Sequence, residues 1–276
     1  MWETPRSRYS PFIMSFQLLQ DVEIIRVTAE DAVTEQDVVV PEYALHLTVN
    51  GEELATLMCF PEALRELITG FLIAEGLVRD LTMIRSIRID EERGEASVTL
   101  SGEAELPLRL YGNRTIQAGC GSPPLFPRTL ESIRARVLPE GPPVAVSVIM
   151  DSMRAFQGQS GLYGRTGGVH SAAMVHRGKI VIFRDDVGRH NAVDKVAGEA
   201  AMKGVPRDEC VLLSSGRISS DLVTKAAVHG IPVVASRSAP TGRAVEIARM
   251  LKLGLAGFVR GKRMNIYAGA ERFVLP

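Results

Sequence analysis

The second half of the chain alternates apolar, strand-length runs with helix-length segments, and this pattern constrains the fold more than any single residue does. Cys210 to Ser214, Ile231 to Ser236 and Leu255 to Arg260 read as strands, with helices predicted over 191–203, 220–229 and 242–253. Upstream, a helix beginning near Ser147 runs to Gln157, and Ser171 to His176 with Lys179 to Arg184 bracket Arg177-Gly178 as a hairpin. Alternation of this length predicts an α/β domain built on a largely parallel sheet.

The first third follows another rule. Asp21 to Val27 and Asp37 to Pro41 are short strand candidates, and Tyr43 to Val49 and Glu52 to Met58 flank Asn50-Gly51, the strongest short hairpin signal a sequence offers. A helix follows, with Pro61 at its first position, an apolar stripe through Leu64, Leu67, Ile68, Phe71 and Leu72, and Gly76 at its stop. Ile84 to Ile89 and Glu95 to Leu100 form a further predicted hairpin. From Leu106 to Pro143 the chain is rich in Gly and Pro, with a helix predicted from Arg128 to Leu138 and a linker at Glu140 to Pro143. The expected division is an N-terminal extension over 1–20, a smaller β-rich domain over 21–115, a cysteine loop with a connecting helix over 116–142, and an α/β domain over 143–276. The whole is α/β, or α+β when both parts are counted.

Charge and cysteine content narrow the function. The 32 Lys and Arg balance 32 Asp and Glu, so no global field would hold the chain on nucleic acid or an acidic membrane, and any anion site must be local. Three scattered cysteines, without a Cys-x-x-Cys pair, suit neither a disulfide framework nor a zinc half-site. No secretory signal is visible, and the longest apolar run, Leu67 to Val78, contains Glu75 and is too short to span a bilayer. A cytoplasmic protein is expected.

Ligands of open α/β sheets sit beyond the carboxyl ends of the strands, and the basic residues gather there. Arg189 and His190 follow one strand, Arg217 the next, Arg237 and Arg243 the third, and Arg260, Lys262 and Arg263 the last. Small residues among them, including Ser215, Gly216 and Ser238, admit close backbone approach, so the edge suits a ligand with several phosphates. Cys120, between Gly119 and Gly121 and before Pro123-Pro124, stands on a loop where a free thiol could reach a partner. Asp185, Asp186 and Asp194 are expected as caps and surface partners of arginines. His46, His176 and His229 read as structural, and Cys59 and Cys210 as inert packing.

The run Asp185-Asp186-Val187-Gly188-Arg189-His190-Asn191-Ala192-Val193-Asp194-Lys195 resembles the DVGRHNAxDK signature of the FdhD/NarQ family of formate dehydrogenase accessory sulfurtransferases. Thr166 to Ala172 resembles its TGGxHxA element, Ser215-Gly216-Arg217 its SGRxS element and Ser238 to Thr241 its SAPT element. Phe258 to Tyr267 resembles the closing GFxRxxxxNxY region, and Gly70 to Gly76 the early GFLxxEG segment. The resemblance implies a homodimer with a cytidine-deaminase-like C-terminal domain. It implies transfer of persulfide sulfur from a cysteine desulfurase to the molybdenum or tungsten bis-guanine-dinucleotide pterin cofactor of formate dehydrogenase. By position, Cys120 would carry the persulfide. Phe258, Val259, Arg260, Gly261, Lys262 and Arg263 would contact the cofactor, with Arg189, His190, Ser215, Gly216, Arg217, Ser238, Thr241 and His170 completing the pocket. Where the family often has a second loop cysteine, this chain has Pro123, so a cofactor-binding chaperone is the competing reading. A zinc hydrolase lacks its residues, because His170 is followed by Ser171 and Ala172 and no Pro-Cys-x-x-Cys pair exists.

Overall fold

The computed structural model describes residues 19–101, the backbone of 115–116, and residues 137–276. The N-terminal extension, the Cys120 loop and nearly all of the helix expected over 128–138 lie outside these residues. The chain divides after Pro41 into two compact units. The first contains one antiparallel hairpin, β1 (Gln20–Val27) with β2 (Ala32–Val39). β2 starts five residues earlier than Asp37, because the ladder from Val27↔Ala32 to Gln20↔Val39 recruits Thr34, Glu35 and Gln36 despite their polarity.

The second unit begins with β3 (Tyr43–Val49) and β4 (Glu52–Cys59), joined at Asn50 and Gly51 with φ of 52° and 86°. Positive φ at both positions is what a tight two-residue hairpin requires. With β5 (Ile84–Asp90), β6 (Glu95–Leu100) and β7 (Thr115–Ile116) they form a five-stranded sheet in the order β5-β6-β3-β4-β7. Leu45, Leu47, Leu57, Val98 and Ile87 from this sheet bury against Leu67, Ile68, Phe71 and Leu72 of helix α1 (Leu64–Ala74). α1 starts behind Ala63 rather than at Pro61. Phe60, just before the proline, is pinned: its amide donates to Asp186 Oδ2 at 3.1 Å and its carbonyl accepts from Lys195 Nζ at 2.9 Å. The stop is as expected, with Gly76 at φ 80°.

Residues beyond 143 form a short parallel pair, β8 (Val144–Ala145) with β15 (Phe273–Val274), and a six-stranded sheet in the order β10-β9-β11-β12-β13-β14, made of β9 (His170–His176), β10 (Lys179–Asp186), β11 (Cys210–Ser214), β12 (Val233–Ser236), β13 (Gly254–Arg260) and β14 (Arg263–Ala268). Side chains alternate between its faces. Leu212, Val234 and Leu255 pack under helices α4 (Arg189–Met202), α5 (Ser220–Val228) and α6 (Gly242–Met250). Val211, Leu213 and Ala235 pack against Ile149, Met153 and Phe156 of α2 (Val146–Gln157). The sheet is mixed rather than largely parallel. Only β11-β12 and β12-β13 run parallel: β9 lies antiparallel to β11, the Arg177-Gly178 turn folds β10 back onto β9, and the Gly261-Lys262 turn folds β14 back onto β13. Strand β14 and the short helix α3 (Gly161–Thr166) add to the elements predicted from the sequence.

Helices α1 and α4 touch backbone to backbone. A Cβ on Gly70 would lie 1.9 Å from the Asp194 carbonyl oxygen, and one on Gly198 would lie 2.1 Å from that of Glu66. Only glycine fits at either position. Among the described residues no helix is long and apolar enough to cross a membrane.

Candidate functional site

The start of β9 and the ends of β10, β11, β12 and β13 lie on one edge of the six-stranded sheet, since Asp186 pairs with His170, Ser214 with Ala172 and Ser214 with Ser236. A cleft of about 560 Å³ opens at this edge. His170, Ser215, Ser238 and Arg260, expected from the sequence, line it together. Arg237 lines it as well, in accord with its place after β12. Ser160, Tyr163 and Gln157 are lining residues that the sequence reading missed. Their signal was local: Ser160 caps α3 by accepting from Tyr163 N at 2.8 Å, a Ser-x-x-Tyr start hidden in a glycine-rich stretch.

Each wall is held by a distinct device. Asp185 accepts from Ser160 Oγ at 2.7 Å and from Ser171 Oγ at 2.6 Å, tying α3 to β9. The turn after β11 is fixed by Ser214 Oγ, which accepts from Gly216 N at 3.2 Å, and by Ser236 Oγ, which donates to Gly216 O at 2.7 Å. Gly216 has no room for a side chain, since a Cβ would lie 2.8 Å from Arg189 Cδ. That contact buries Arg189 beneath the turn.

On the far wall, Phe258 adopts a left-handed φ of 51° where the β13-β14 register shifts, and its amide donates to Ser238 O at 3.1 Å. Arg260 donates Nε–H to Arg237 O at 3.1 Å, and its guanidinium carbon lies 5.4 Å from the Phe258 ring centroid. This stacking leaves the rest of the guanidinium fork at the cleft, suited to phosphate or carboxylate oxygens. Lys262 and Arg263 are exposed just beyond, around Gly261. Arg217 is exposed too.

Other expected residues serve the frame. Val259 is buried in the core on the α2 side of the sheet. Thr241 caps α6 by accepting from Ala244 N at 3.2 Å. His190 lies 3.0 Å from Ser219 Oγ, the cap of α5, and 3.7 Å from Asp221 Oδ2. The aspartates differ from the surface role expected of them. Asp186 and Lys195 form a fully buried pair at 2.7 Å, and Asp194 pairs with buried Lys225. A carboxylate taken out of water needs a cation beside it, and buried Lys195 of α4 and Lys225 of α5 supply it. Asn191 completes the first pair by donating to Asp186 Oδ1 at 3.0 Å and to Met58 O at 2.8 Å.

His190 carries a pH signature. Burial, opposed by Asp221 and reinforced by Lys225, Arg189 and His170, pushes its imidazole from 6.5 down to about 4. The unfolded chain therefore binds a proton that the folded chain refuses. This contribution to stability is fully present above pH 6.5 and is lost as pH falls through about 4. A shift of that size corresponds to about 3 kcal/mol. His190→Gln should flatten the loss of urea resistance between pH 7 and pH 4.5, and an unchanged pH dependence would remove His190 as its source.

Among the described residues, no three His, Cys, Asp or Glu side chains gather as a metal-binding group. Cys59 and Cys210 are both buried, and burial pushes each thiol up to about 12.

A family model described as FdhD/NarQ matches residues 40–274. The chain is 40% identical over 256 residues to the sulfur carrier protein FdhD of Halalkalibacterium halodurans, covering 92% of this chain and 95% of that protein. It is 36% identical over 237 residues to the protein of the same name from Bacillus subtilis, covering 86% and 90%. A crystal structure from Desulfotalea psychrophila, assigned as a formate dehydrogenase accessory protein, superposes with a TM-score of 0.75 at 22% identity. It covers 93% of this chain and all of that one, a likeness of fold.

Proposed function

This chain belongs to the FdhD/NarQ family, and from that premise we propose that it carries persulfide sulfur from a cysteine desulfurase to the bis-guanine-dinucleotide pterin cofactor, with molybdenum or tungsten, that serves formate dehydrogenase. The observation that carries the proposal is the cleft, where two arginines and several hydroxyls face one 560 Å³ opening at the carboxyl ends of the strands. Phosphate oxygens of a guanine dinucleotide match the Arg237 and Arg260 guanidinium groups, and the 143–276 region is the cofactor-binding part of the chain in this reading. A homodimer would give each of the two nucleotide arms such a cleft.

The carrier is Cys120. At neutral pH the buried Cys59 and Cys210 thiols stay protonated and unreactive, which leaves the cysteine of Gly119-Cys120-Gly121. Its thiolate attacks the outer sulfur of the desulfurase persulfide, the donor cysteine leaves as a thiolate, and Cys120 becomes the persulfide that is handed on. One cysteine suffices for this exchange, so Pro123 in place of a second loop cysteine does not stop it. Incubation with a cysteine desulfurase and cysteine should add one sulfur atom to the protein by intact mass, and the adduct should vanish in Cys120→Ser. Persistence of the adduct in that variant would overturn the assignment. The Cys-Gly-Ser-Pro loop favours one second reading, a chaperone that binds the cofactor without chemistry. Full rescue of formate dehydrogenase activity by Cys120→Ala would select it.

A further inference from the structure

We propose that Ser215 is a positioning residue that locks His170 in the Nε2–H tautomer, so that a neutral imidazole presents one directed donor to the ligand in the cleft. The ligand's identity, and nothing else in this inference, rests on the reading of the cleft given above. Ser215 is clamped to β9 from both sides. Its amide donates to Ser171 O at 3.0 Å, and its Oγ accepts from Ser171 N at 2.9 Å. With one lone pair so occupied, the hydroxyl still has its own proton to place. His170 Nδ1 stands 3.3 Å from that oxygen. An Oγ–H to Nδ1 bond makes Nδ1 the acceptor, and the ring proton of a neutral imidazole then resides on Nε2.

The surroundings keep the ring neutral and fixed. The Gly216 position crowds the same edge, where a Cβ would lie 3.4 Å from His170 Nδ1 and 2.8 Å from Arg189 Cδ, so the arginine side chain runs close by. Burial first, and then the Arg189 charge, lower the affinity of His170 for a second proton, outweighing the opposing pull of Asp186. The cleft thereby divides its work. Arg237 and Arg260 supply positive charge at the rim, while His170 supplies direction without charge, which suits an oxygen or nitrogen acceptor that is not itself a phosphate.

The test uses the full chain with 15N-labelled histidine. The long-range imidazole proton–nitrogen cross-peak pattern of His170 should be that of the Nε2–H tautomer at neutral pH. Ser215→Ala should yield a mixture of tautomers and weaken GDP binding about fivefold, and Ser215→Thr, which keeps the hydroxyl, should restore both. An Nδ1–H pattern in the unaltered protein overturns the proposal, as does a Ser215→Ala variant with both the pattern and the affinity unchanged. Should GDP not bind the unaltered protein, the cofactor reading falls while the tautomer pattern still decides the lock. Should Ser215→Ala fail to fold, the pattern of the unaltered protein decides alone.

Discussion

Replacing Lys195 with Met is expected to destabilise the protein by about 3–5 kcal/mol, the cost of leaving a buried carboxylate without its cation. Lys195 and Asp186 are both wholly shielded from solvent and meet at 2.7 Å. The ammonium group also donates to Phe60 O at 2.9 Å and Asp185 O at 3.3 Å and lies 5.7 Å from the Phe60 ring centroid. Methionine fills the volume and restores none of these bonds. Asp186 keeps donors from Gly188 N, Phe60 N and Asn191 Nδ2, so its charge remains solvated by hydrogen bonds but uncompensated. For a chain of this size the melting temperature should fall by roughly 10 °C. Adding Asp186→Asn to Lys195→Met removes the stranded charge and should recover part of the loss. A single variant that melts like the parent would show that the pair contributes nothing beyond packing.

The second large effect is expected at the helix crossing. Gly198→Ala gains about 1 kcal/mol of helix propensity, yet its Cβ would stand 2.1 Å from Glu66 O and 2.6 Å from Gly70 N. Both are backbone atoms of α1 and cannot rotate away, so the helices must part and the core between the two sheets must repack. We expect a net loss of about 3 kcal/mol, at the upper end for overpacked interiors. Gly164→Ala on α3 is the control, because nothing lies within 4 Å of its added carbon. Equal urea midpoints for Gly198→Ala and Gly164→Ala would show that the crossing yields.

What the sequence disclosed and what it withheld have physical causes. The Asn50-Gly51 and Arg177-Gly178 turns were legible because positive φ at successive residues admits few side chains. Strands β11, β12 and β13 were legible because their apolar runs are short and bounded by polar turns. The clustering of Ser215, Ser238 and Arg260 followed from strand direction, since the ends of neighbouring strands must share an edge, whereas His170, at the start of antiparallel β9, was placed there only by the family resemblance. Burial of the aspartates was not legible. A single sequence carries no record that Asp186 and Lys195, nine residues apart, turn inward together through a strand end and a helix. The mixed sheet was missed for a related reason, because Arg263 to Ala268 carries arginine and asparagine and pairs only along an edge. The Pro61 start failed because tertiary bonds to Phe60 outweighed a local preference.

The signature run from Asp185 to Lys195 has a consequence for how such chains are judged. Asp186, Asn191, Asp194 and Lys195 are girders, and their partners are other parts of the frame rather than anything that binds. A protein could keep every letter of that run after losing its thiol and its cationic rim, and would still be retrieved by it. Those four positions therefore certify architecture, and under the proposed function competence has to be read elsewhere, from the cysteine loop and the strand-end arginines.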